Sequence, residues 1–100
     1  MAITLDKFRV RLVNKIIEAT SGTDAERYIR TAIRAMQKRK VNGYIVQRFI
    51  DCVINQLNLY HFSGMSPVQR NNITFARLEL LRVRNLITRP DFLTTQILKQ

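Results

Sequence analysis

An all-α fold, a compact up-down four-helix bundle with a short fifth C-terminal helix, follows from three observations. Glycine and proline total only five in 100 residues, which disfavours turn-rich β architecture. Apolar residues recur every three or four positions through four long segments. Short polar stretches that carry helix start and stop signals separate those segments.

Helix 1 is predicted over about residues 4–20, with Leu5, Phe8, Leu12, Ile16 and Ala19 on one stripe that Val13 and Ile17 widen. Ser21-Gly22 ends it, glycine being the residue that enters a left-handed cap without strain. Thr23-Asp24-Ala25-Glu26 reads as a capping box that opens helix 2. That helix runs to about Lys40, buries Ala25, Tyr28, Ile29, Ala32, Ile33 and Met36, and is broken by Asn42-Gly43.

Helix 3, from Tyr44 to about Tyr60, is the most apolar. Ile45, Val46, Phe49, Ile50, Val53, Ile54 and Leu57 cover more than half its circumference. That excess predicts either a central position in the bundle or an apolar patch for a partner, with Val46 and Ile50 as the positions to test. Ser66-Pro67-Val68-Gln69 opens helix 4, which extends to about Ile87. Arg89-Pro90-Asp91 starts a new turn, and Phe92, Leu93 and Ile97 suggest the short fifth helix packing back. Residues 1–100 thus form a single helical domain, with short connections favouring antiparallel neighbours. An irregular orthogonal bundle is the rival arrangement. In the up-down order, helices 2 and 4 are diagonal, and helix 1 neighbours both.

Chemistry is sparsely signalled, and no enzyme is expected. His61, the single histidine, stands between two aromatics at a helix end and reads as a packed loop imidazole. Cys52, the single cysteine, is expected to be a small buried hydrophobe on helix 3. One histidine and one cysteine make no ordinary zinc site, and no glycine-rich phosphate loop is present. No cofactor, metal or small-molecule substrate is therefore expected. Glu79 is the one carboxylate placed inward, among Val68, Phe75, Val83 and Leu86. Arg9, inward on helix 1, is its expected partner, with Arg82 the local alternative, because an inward charge is costly unless paired.

The charge is the least ordinary feature: seventeen Lys+Arg against seven Asp+Glu give +10, and twelve of the cations are arginine. Such a field attracts nucleic acid, anionic lipid or acidic protein. Arg27, Arg30, Arg34 and Lys38 fall within about 80° of one another on helix 2. Lys7, Arg11 and Lys15 repeat on helix 1. These two stripes are expected to join into one anion- or nucleic-acid-binding face, which touches phosphates without strong base readout. Arg70, Arg77 and Arg84 form a secondary line about 21 Å long on helix 4. Lys38-Arg39-Lys40 cluster at the end of helix 2, where the helix dipole favours cations. A homo-oligomeric (dimeric) or adaptor role through the helix 3 face is the competing class. A lone cysteine, a charged N-terminal region and no long apolar run lead us to expect an intracellular, cytoplasmic protein without a transmembrane segment.

Overall fold

A computed structural model describes residues 4–60 and 63–87. Those residues contain four α-helices and no strand: α1 (Leu5–Glu18), α2 (Gly22–Lys38), α3 (Gly43–Asn58) and α4 (Pro67–Leu86). None is long and apolar enough to cross a membrane. The expected fifth helix and His61 lie outside the described residues.

Local chemistry explains each boundary. Thr4 caps α1 by accepting from the Lys7 N–H. α2 begins earlier than Thr23-Glu26 predicts: Ser21 is extended, and its Oγ accepts from the Asp24 N–H at 3.2 Å. Gly22 is therefore the buried first residue of α2, not the cap of α1. Ser21 prevails over Thr23 because Ser-x-x-Asp is itself a start signal, and because α4 packs directly onto Gly22.

The other end of α2 also departs from expectation. Lys40 adopts φ 56°, and a Schellman closure follows. The Lys40 N–H donates to the Gln37 carbonyl and the Val41 N–H to the Met36 carbonyl, both at 3.0 Å. Asn42, expected as a breaker, instead caps α3 by accepting from the Tyr44 N–H at 2.8 Å. The Ser66 capping box of α4 forms in full, with Ser66 and Gln69 exchanging hydrogen bonds of 3.1 and 3.2 Å.

One core joins the four helices: Leu12, Val13 and Ile16 of α1 meet Ile29 and Ile33 of α2, Phe49, Ile50 and Val53 of α3, and Ile73, Leu80 and Val83 of α4. Val46 and Ile50 are fully buried, so the apolar excess of α3 fills the core at both named positions. Cys52 is exposed, contrary to expectation. At 100° per residue it falls between Ile45 and Arg48, about 120° from the middle of the buried arc of Val46, Phe49, Ile50, Val53 and Leu57.

Helix order around the core differs from the up-down expectation. α2 packs most extensively on α4, whereas α2 and α3 scarcely touch. Helices 2 and 4 are thus neighbours, not diagonal. Their contacts ascend together, Gly22 with Phe75 and Arg30 with Glu79. The inward arc of α4 is rotated accordingly: Asn72, Ile73, Ala76, Glu79, Leu80 and Val83 are buried, while Val68 and Phe75 are almost half exposed.

Candidate anion-binding surface

The basic side chains fall into two groups, those already engaged within the fold and those left facing solvent. α2 contributes mainly to the first. Arg27 pairs with Asp24 at 3.6 Å, and Arg34 has a partner within the chain. Arg30, expected in solvent, donates Nε to Glu79 Oε2 at 3.1 Å. Arg82 adds two bonds to the same carboxylate, Nε to Oε1 at 3.0 Å and Nη2 to Oε2 at 2.9 Å. Arg9 does not reach Glu79; it donates to Gln56 at 3.1 Å and approaches Asp6 at 3.5 Å. The reason is the helix order, which lays α4 against the Arg30 side of α2.

Burial alone pushes the Glu79 carboxyl up, but hydrogen bonds from Arg82 and Arg30, and then their charges, outweigh it and leave its pKa lowered. That is the reverse of what a buried general acid needs. Among the described residues no cluster of histidine, cysteine, aspartate and glutamate could hold a metal ion.

The α4 line is similarly divided. Arg84 is hydrogen-bonded to Asp51, tying α4 to α3, and that bond raises the guanidinium above its usual pKa. Arg70 has a partner within the chain, and Arg77 is exposed. Arg70 is exposed as well, and Arg84 keeps 36% of its side-chain surface in water, so the three differ in their partners.

α1 is different. Lys7, Arg11 and Lys15 are all exposed, and so are Lys38 and Arg39 at the end of α2. Among the described residues, no acidic side chain lies within ion-pair distance of any of the five. Glu18 shares the α1 face, one turn beyond Lys15. Lys15 places Nζ 5.6 Å from the centre of the Tyr28 ring, a cation–π contact across the α1–α2 seam.

Between these helices lies a groove of about 530 Å³. Its lining includes Leu12, Ala32 and Met36, with Arg11, Lys15 and Arg39 among the charged side chains. None of Arg27, Arg30, Arg34 and Lys38 lines it. The two expected stripes therefore do not meet there; the α1 stripe meets Arg39 instead. A sequence signal for this existed. At 100° per residue Arg39 falls beside Tyr28, Ala32 and Ala35, on the α1 side of α2 and away from the arginine stripe.

The chain matches no protein-family model, no curated protein and no solved structure.

Proposed function

We propose that this protein is a non-catalytic binding module that takes an anionic partner on the α1 side, at the seam with α2. One observation carries the reading. Arg11, Lys15 and Arg39, exposed cations with no ion pair among the described residues, line one groove, whereas Arg27, Arg30, Arg82 and Arg84 are paired within the fold. Unpaired cations beside a concave, low-dielectric wall concentrate potential there, and that potential steers an anion to the seam. The oligomerisation reading through α3 loses support, because Val46 and Ile50 are core residues.

Two charge-reversal triples, each lowering the net charge from +10 by the same amount, test this by location. Arg11→Glu, Lys15→Glu and Arg39→Glu alter the groove. Arg27→Glu, Arg48→Glu and Arg77→Glu alter exposed positions elsewhere. Anisotropy titrations with a short single-stranded oligonucleotide and with polyglutamate supply two polyanion probes. The groove triple should lose binding to either probe, and the salt slope for the oligonucleotide should flatten by about 2 if three contacts are lost. The control triple should retain most of its affinity. Equal losses in the two triples would mean that net charge alone governs, and would overturn the assignment.

A further inference from the structure

The rim charge explains attraction but not the apolar surface beneath it. Leu12, Ala32 and Met36 are buried in the groove floor, and Ala35 and Val41 extend it half-buried. Leu5 remains 44% exposed at its edge. The Schellman closure at Lys40 holds Val41 against the groove by fixing its N–H on the Met36 carbonyl. A bare polyphosphate gains nothing from such a floor.

Nor is the groove suited to stacking bases. Phe8 is stacked on Phe49 with ring centres 5.6 Å apart, and Lys15 stands over Tyr28. Single-strand binding draws on open aromatic faces, and both groove aromatics already have a face occupied. The walls are two helices, with alanines 32 and 35 on one of them allowing close approach. Surfaces of this kind accept a third helix, anchored at i, i+3, i+4 and i+7. From Leu5 to Lys15 the groove follows α1 for about 15 Å, the length of roughly three helical turns.

We propose that the α1–α2 groove binds an acidic amphipathic helix of a protein partner, its apolar face on Leu5, Ala35 and Val41 and its carboxylates against Arg11, Lys15 and Arg39. This rests on the anionic-partner reading and names the partner's chemistry. Charge complementarity selects a foreign helix. The chain's own residues 88–100 hold Arg89 and Lys99 against Asp91 alone, and a second copy brings a net charge of +10.

The test uses the full chain and two capped peptides of about 14 residues with identical Leu, Glu and Ala content. One places Leu at helical spacing with Glu flanking; the other scrambles the order. The patterned peptide should bind at least about tenfold tighter than the scrambled one. Ala35→Trp fills the groove and removes no charge, so it should erase that advantage and leave the patterned and scrambled peptides binding alike. Thr31→Trp, at an exposed lining position, makes the same measurement if Ala35→Trp loses helicity.

Equal binding of the two peptides overturns the helix assignment while leaving the anionic surface standing. Loss of binding to every anion, polyglutamate and oligonucleotide included, removes both. If the native chain ignores the patterned peptide but a Phe92→Ser, Leu93→Ser, Ile97→Ser variant binds it, the groove belongs to the chain's own C-terminal segment. If the native chain sediments as a dimer that Ala35→Trp dissociates, it belongs to a second copy. Either result overturns the proposal.

Discussion

Arg30 on α2 donates its Nε to Glu79 on α4 at 3.1 Å, and this bond crosses the most extensive helix–helix interface of the molecule. The carboxylate is 4% exposed, while Arg30 and Arg82 keep 40% and 44% of their side-chain surface in water. Each guanidinium can therefore recover hydration if the acid is lost, but the acid has no substitute for them. Glu79→Gln should destabilise by about 1–2 kcal/mol, below the cost of breaking a fully buried pair. The pH dependence has a definite sign. Because the folded pKa lies below its ordinary 4.5, the stabilisation is complete above that value and disappears as pH falls through the lowered folded pKa. Thermal midpoints of native and Glu79→Gln chains should differ at neutral pH and converge in acid. A constant gap across that range would show that Glu79 acts only through packing.

Asn72 provides a second test of the contact between α4 and the rest of the core. It is fully buried, and its Nδ2 donates to the carbonyls of Ala19 at 2.7 Å and Ile17 at 3.4 Å. A side chain from α4 thus satisfies carbonyls at the open end of α1, a place where helices leave acceptors unmet. Its own Oδ1 has no partner, so part of the benefit is offset. Asn72→Ala should cost about 1–3 kcal/mol through the deserted Ala19 carbonyl. Asn72→Asp should cost more at neutral pH, since it sets an acceptor against acceptors and buries a charge. Chemical denaturation at pH 7 and pH 4 checks the order; the aspartate variant should recover stability at the lower pH, where its raised pKa lets it protonate.

These two residues mark what the sequence can reveal. Local rules located four helices, because caps and three-to-four spacing involve residues within one turn of each other. Ser66 with Gln69 and the buried stripe of Leu12, Val13 and Ile16 were legible for that reason. Which helix faces which is decided by long-range packing. Glu79 could be seen to point inward, but its partner depends on α4 lying beside α2. Competing local signals failed too: Ser21 and Thr23 both announce α2, and the choice depends on Phe75, more than fifty residues away. For the surface, helical angles exposed the stripe of Lys7, Arg11 and Lys15. They could not reveal that Arg30 would be consumed by α4 or that Arg39 would join the groove.

The Gly22–Phe75 contact yields a change of sign. A Cβ at Gly22 would lie 2.1 Å from Phe75 Cδ2, so Gly22→Ala must push the ring away. The ring is 45% exposed and can swing outward, at the expense of the apolar surface it covers. Against this, alanine gains up to about 1 kcal/mol over glycine in a helix. Gly22→Ala alone should destabilise, whereas the same change in a Phe75→Ala background should stabilise. A double-mutant cycle by urea denaturation measures the coupling, and additive effects would mean the ring does not hold this position.

Cys52 should behave as a surface thiol. In the native chain a bulky disulfide reagent should modify one equivalent, the amount modified in the unfolded chain, since the side chain is exposed and is the only cysteine. Cys52→Ser should leave stability within about 0.5 kcal/mol of native, as surface substitutions usually do. Protection in the native state would place α3 in a rotation different from the one described.

Lys40 holds a left-handed backbone that glycine adopts without cost, at φ 56°. A side chain there costs about 1–2 kcal/mol, and glycine gives back part of the gain through its freer unfolded chain. Lys40→Gly should therefore stabilise by about 0.5–1 kcal/mol, and Lys40→Val should destabilise, because a β-branched residue fits that region worst. The pair also separates scaffold from surface. Val41 lines the groove and depends on this turn for its position. If the turn matters for binding, Lys40→Val should weaken the patterned peptide while Lys40→Gly preserves it. A matching loss in both variants would instead assign the effect to the missing Lys40 charge, adding a further cation to the rim.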